Sequence, residues 1–157
     1  MKSNDKTNVM RILSQSKIEY NAYYYGDGTA LSGAEVAAEL GQDPDCVFKT
    51  LVTVGKTKEH YVFVIPVCAE LDLKKAAHAA GEKNIEMIKQ KELLPLTGYV
   101  HGGCSPIGMK KQFRTFVDES AVLCDTIFFS AGKIGAQVEV SPQDLIKLIR
   151  AEFAELC

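Results

Sequence analysis

Tryptophan is absent from the 157 residues, histidine occurs three times, and the five cysteines stand at 46, 68, 104, 124 and 157 without a CxxC pair. An odd cysteine count with no paired spacing indicates neither a disulfide framework nor a four-ligand zinc site, so the expectation is reduced thiols. The only metal-like pairing is His101 with Cys104, and with no second half-site no metal and no cofactor is expected. No apolar run approaches the ~18 residues of a membrane span, and the start MKSNDKTNVMRIL is too polar for a signal peptide. The expectation is a cytoplasmic protein away from membranes. Charge of one sign is also lacking. Eighteen Lys and Arg against 20 Asp and Glu give a net charge of −2, which argues against gripping nucleic acid by charge alone.

What the chain does have is 46% hydrophobic and 24% charged residues, enough for an ordinary core without staples and too apolar for a disordered chain. Its length suits one domain, residues 1–157. Between Lys49 and Lys133 there are 12 basic against 9 acidic residues, so the middle of the chain is mildly basic, either as scattered solvated lysines or as a patch.

Helical spacing of Val9, Ile12 and Leu13 predicts a first helix over about 6–16, with Asn4 or Asp5 as its cap. Residues 18–25 read as extended. Ser32 and Glu35 form a capping box for a short helix over 33–40, stopped by Gly41. Residues 47–54 and 61–67 form the clearest hairpin, turned by the polar 55–59. Asp72 caps a helix over 73–80 that Gly81 closes. A mostly polar stretch, 82–92, leads to Leu93, Leu94 and Pro95, and glycine is too dense from 98 to 108 for a regular element. Val117, Val122, Leu123 and 127–129 suggest two strands, Val138 and Val140 another. A final helix opens at Ser141-Pro142, with Asp144 completing a box and Leu145, Leu148, Ile149, Phe153 and Leu156 facing inward. Strands and helices do not alternate regularly. The fold class is therefore α+β, a curved, mostly antiparallel, barrel-like mixed sheet flanked by helices.

Strand alternation puts Lys49 on the face of Val47 and Leu51, and Phe48, Thr50 and Val52 on the other. An ammonium amid apolar neighbours is costly unless an anion meets it, so Lys49 either serves a site or guards a strand edge. In Gly102-Gly103-Cys104-Ser105-Pro106-Ile107-Gly108, free amides and the Ser105 hydroxyl could hold a phosphate, carboxylate or oxyanion, or the glycines could simply connect strands. Met109 stands where a phosphate-loop lysine would be needed. Ser130-Ala131-Gly132-Lys133 follows an apolar strand, as a ligand loop or a tight turn. Cys104 and His101 lack a third, orienting group, which weighs against a nucleophile and base.

Taken together, Val47-Phe48-Lys49-Thr50-Leu51-Val52, Leu71-Asp72-Leu73-Lys74-Lys75, Thr97-Gly98-Tyr99-Val100 with the glycine loop, and Ser130-Ala131-Gly132-Lys133 resemble the YbaK/EbsC family. These are stand-alone aminoacyl-tRNA deacylases related to the editing domain of bacterial prolyl-tRNA synthetases. The resemblance covers essentially the whole chain. It implies a distorted six-stranded barrel-like sheet and hydrolysis of mischarged tRNA, Cys-tRNA(Pro) foremost, with tRNA(Pro) and prolyl-tRNA synthetase as partners. It also implies an indispensable lysine at Lys49, glycine-loop amides at Gly102 and Gly103, a pocket tyrosine at Tyr25, and pocket residues at Ser130 and Gly132. Gln137 stands where cysteine-specific relatives carry an aspartate, which removes a charge from the site. Two rivals are a binding module that holds an aminoacyl or nucleotide ligand without turnover, and a thiol hydrolase built on Cys104.

Overall fold

A computed structural model describes residues 6–27 and 31–157. The first helix, α1 (Asn8–Gln15), is capped by the Thr7 hydroxyl, which accepts from the Met10 amide. The expected caps Asn4 and Asp5 lie outside the described residues. β1 (Asn21–Tyr24) follows, then α2 (Gly33–Leu40), where Ser32 accepts from the Glu35 amide and Glu35 accepts from that of Ser32. Gly41 ends α2 with φ +66°, a left-handed turn that suits glycine.

The hairpin forms as its alternation predicts. β2 (Phe48–Gly55) and β3 (His60–Pro66) are antiparallel, with Lys49 opposite Ile65 and Leu51 opposite Phe63. Asp72 caps α3 (Leu73–Ala80) by accepting from the Lys74 and Lys75 amides, and Gly81 closes it. The stretch 82–92, read as merely polar, contains β4 (Ile85–Met87), which pairs with the end of β2, and then leads into α4 (Gln90–Thr97). Residues 98–113 contain no helix or strand.

β5 (Arg114–Asp118) lies parallel to β3. Val122 and Leu123, expected in a strand, instead sit on an exposed 3-10 turn. β6 (Ile127–Ser130) and β7 (Ala136–Val140) form an antiparallel pair, and β7 also pairs with β1. α5 (Pro142–Ile149) begins at Ser141, but the Ser141 hydroxyl donates to Gln143 Oε1 and accepts from no backbone amide, so the box expected with Asp144 is absent. The helix stops earlier than its apolar spacing suggests. Arg150 turns left-handed at φ +55°, and β8 (Glu152–Ala154) adds to β5 in parallel.

Among the described residues there are thus eight strands in two sheets, ordered β1-β7-β6 and β4-β2-β3-β5-β8. Four pairings are antiparallel and two parallel, as a mostly antiparallel mixed sheet requires. The sheets do not close into the six-stranded barrel that the resemblance implies. A single bridge, Val47 to Phe128, links them at the start of β2. The two faces of the larger sheet bury separate clusters. Phe48, Val52, Val62 and Val64 pack with α1, α5 and the smaller sheet, while Phe63, Ile65 and Phe116 pack with α3 and Leu156.

Cysteine pairing is a correction to the sequence reading. Cys46 and Cys124 form a disulfide across 78 residues, beside the Val47–Phe128 bridge, and Cys68, Cys104 and Cys157 remain thiols. Among the described residues no helix is long and apolar enough to cross a membrane.

Candidate active site

Beyond Val47 the two sheets diverge. β2 pairs with β4 from Thr53 onward, and the Val52 carbonyl still accepts from the Ile88 amide, so the free edge on that side is the stretch 48–51. A cavity of about 400 Å³ opens there, floored by Phe48, Val52 and Phe129 and walled by α2, α4 and the 101–104 turn. Five of the residues expected at the site line it: Tyr25, Lys49, Gly102, Ser130 and Gln137. They come from the residue after β1, from β2, the glycine loop, β6 and β7, and the two sheets with that loop bring them together.

Among the described residues lining this cavity, Lys49 is the only Lys, Arg, Asp or Glu. It is half-buried and forms no ion pair among the described residues. Its charge reaches the Cys157 thiol. Burial and the nearby Asp118 carboxylate push that thiol up to about 11, and Lys75 and Lys49 pull it the other way. The next residue carries a different signal. The Thr50 hydroxyl is buried, lines the cavity, and has no hydrogen-bond partner among the described residues. An orphaned hydroxyl costs about 1–3 kcal/mol unless something meets it, so a polar ligand atom is its natural complement. Strand alternation marked Thr50 only as Lys49's neighbour on the opposite face.

The glycine loop divides into two roles. Gly102 lines the cavity with φ +89°, and its amide has no intramolecular partner among the described residues. Gly103 lies off the cavity. Its amide is occupied by the Val100 carbonyl at 3.0 Å, and a Cβ there would stand 3.0–3.1 Å from the backbone of Lys133 and Ile134. Ser105 is fully buried, its hydroxyl accepting from the Ile107 amide, so it shapes the turn and does not face a ligand. Gly132, also outside the cavity lining, has φ +98° and donates its amide to the Ser130 hydroxyl at 3.1 Å, which fixes that hydroxyl at the rim. Tyr25 is tied to the turn before β7 by its amide, which donates to the Gly135 carbonyl, and burial raises its phenol above the ordinary range. Gln137 is almost wholly buried and exchanges two hydrogen bonds with the side chain of Gln42.

Cys104 reaches the cavity too, beside an exposed His101. Burial pushes its thiol up to about 12, so at neutral pH it is protonated and a poor nucleophile. No group of three or more His, Cys, Asp and Glu among the described residues could hold a metal ion. Among the described residues the cavity therefore offers a cation, an exposed amide, hydroxyls and the Gln137 side-chain amide, and its one thiol is held in the unreactive form.

Comparison with known proteins identifies the family. EbsC of Enterococcus faecalis, named provisionally as a Cys-tRNA(Pro)/Cys-tRNA(Cys) deacylase, is 47% identical over 156 residues, covering 99% of this chain and 95% of that protein. A proline–tRNA ligase of Pelobacter propionicus is 35% identical over 78 residues, half of this chain but 14% of the ligase. Among solved structures, one named provisionally as a trans-editing enzyme for prolyl-tRNA synthetase has a TM-score of 0.81 at 23% identity, covering 97% of this chain and 98% of its own, and shares the fold. The profile of the aminoacyl-tRNA editing domain matches residues 28–148. The chain therefore belongs to the aminoacyl-tRNA editing domain family, alongside EbsC.

Proposed function

We propose that this protein, acting as one editing domain, is a trans-editing deacylase that hydrolyses the ester of mischarged aminoacyl-tRNA, with Cys-tRNA(Pro) as the foremost substrate. The observation that carries the reading is the composition of the cavity, in which, among the described residues, one unpaired cation and one free amide face a space whose only thiol is held protonated at neutral pH. Such a site polarises and positions. It does not supply a nucleophile.

Lys49 stabilises negative charge as it develops on the ester, or holds the phosphate of the terminal adenosine, and a single ammonium in a site with no other lysine, arginine or carboxylate among the described residues does this strongly. The Gly102 amide is placed to donate to the carbonyl oxygen. With cysteine as the aminoacyl group, the substrate's own thiol attacks its ester carbonyl. The carbon–sulfur bond forms, the bond to the ribose oxygen breaks, the thiol proton passes to that oxygen, and water then opens the cyclic thioester to free cysteine. Positioning alone can supply much of the acceleration for such an intramolecular step. A role in translation editing places the protein in the cytoplasm, working beside prolyl-tRNA synthetase, which would select the tRNA that a chain of net charge −2 cannot grip tightly by itself.

The test is single-turnover deacylation of preformed Cys-tRNA(Pro), Ala-tRNA(Pro) and Pro-tRNA(Pro). Rapid loss of the cysteinyl ester with Pro-tRNA(Pro) spared is expected. No release from any of the three would overturn the reading in favour of a binding module.

A further inference from the structure

Gln42 follows the left-handed Gly41 at the end of α2, and its backbone amide is fixed on the Ala37 carbonyl at 2.9 Å. Its side-chain Nε2 donates to Gln137 Oε1 at 2.7 Å, and Gln137 Nε2 donates back to Gln42 Oε1 at 3.0 Å. Gln137 lies in β7, the central strand of the smaller sheet, opposite Tyr23 on one side and Ser130 on the other. The pair thus ties a helix end to a rigid strand. It also divides space. Gln137 lines the main cavity, whereas Gln42 lines a second, more open cavity of about 440 Å³, which it shares with Tyr23, Cys46 and Phe128. The reciprocal bonds keep the partition neutral and shut.

We propose that the Gln42–Gln137 pair is the end wall of the aminoacyl pocket, and that Gln42 is a positioning residue that sets the longest side chain admitted. This rests on the deacylase reading and deepens it. Short uncharged aminoacyl groups of cysteine or alanine size fit on the near side. Longer unbranched groups must displace the wall, and a carboxylate in place of the Gln137 amide could accept from Gln42 but not donate back, so both halves of the amide pair are needed.

The test compares wild type with Gln42→Ala and the milder Gln42→Asn. Deacylation of Cys-tRNA and Met-tRNA would be measured alongside the affinity for adenosine 3′-amides of cysteine and methionine, which bind but cannot be hydrolysed. Wild type should favour cysteine over methionine at least tenfold. Both variants should shrink that ratio about tenfold through tighter binding of the methionine compound. A cysteine-to-methionine ratio unchanged in the variants, or a wild type that binds both equally, overturns the wall. If wild type binds the amides but hydrolyses no ester, the deacylase reading fails while the affinity ratios still decide the wall.

Discussion

Lys49→Met removes the ammonium while keeping an unbranched apolar stem between Leu51 and the facing Ile65. Because Lys49 has no ion-pair partner among the described residues, the substitution strands no carboxylate. The fold should hardly notice. A change within ~0.5 kcal/mol, typical of a half-exposed site with no lost partner, shifts Tm by only about 1–2 °C in a protein of this size. Catalysis should notice a great deal. A unit charge about 4 Å from developing negative charge is worth ~4 kcal/mol at an effective dielectric of 20, and loss of one oxyanion donor costs about 2.7–4 kcal/mol, or roughly 100- to 1,000-fold in rate. The assay is single-turnover release of cysteine from Cys-tRNA(Pro) with enzyme in excess, set beside Lys56→Met in the exposed β2–β3 turn, which removes the same charge away from the cavity. A Lys49→Met rate within threefold of wild type would refute the argument. A second consequence checks the geometry: the Lys49 charge helps hold the Cys157 thiol down, so its removal should raise that thiol further and slow alkylation of Cys157.

Gly103→Ala should lower Tm by roughly 3–10 °C, because its Cβ meets backbone atoms that cannot rotate away, an overpacking cost of about 1–3 kcal/mol; thermal melts decide this, and an unchanged Tm would show that the loops have room. Cys104→Ser should retain deacylation within a few fold, and loss of activity would restore the thiol-hydrolase reading. The folded-state thiol is raised from 9.0 to about 12, so the stability it protects is complete below pH 9 and is lost as pH climbs toward 12; Cys104→Ser should therefore flatten the fall in Tm between pH 9 and 10.5. Denaturing thiol titration should count three cysteines before reduction and five after, and reduction should lower Tm by roughly 5–15 °C, from the ~2–4 kcal/mol typical of a disulfide. Five thiols without reductant would contradict the bond.

The elements that could be read from the sequence are those whose cause is local. The Ser32–Glu35 box, the Asp72 cap and the alternation of 47–54 against 61–67 each lie within a few residues, and each forms as read. What escaped depends on distant partners. β4 is three residues long and exists because it pairs with the end of β2, and α4 carries Pro95 inside it and starts on Lys89, whose own side chain makes no cap bond, so that Glu92 alone caps the turn by accepting from the Lys89 amide. The last helix was read too long because no glycine marks its end; Arg150 adopts the left-handed turn instead, and the apolar Phe153 and Leu156 go on to a strand and the second cluster. The disulfide joins residues 78 apart, beyond any spacing rule. At the site, an ammonium within an apolar strand made Lys49 visible. Gln42 was invisible, since its partner lies 95 residues away and a lone glutamine carries no signal. Gly103 shows the reverse error, a glycine read as a ligand donor whose reason is the close approach of another loop.

The pairing of β1 with β7 joins residues 21–24 to 136–139, so one wall of the cavity is made from the first and the last but one of the eight described strands. During synthesis Tyr25 and Lys49 emerge early, but Ser130 and Gln137 emerge more than 80 residues after Lys49, and until they do no enclosed pocket exists. A nascent or truncated chain that ends before β7 therefore exposes the apolar floor of Phe48 and Val52 without its cover, which makes it a substrate for chaperones rather than an editor. Parallel pairing of β3 with β5 adds a further closure over about 50 residues, so folding should be slow for a chain of this length. Editing competence thus arrives all at once, with β7.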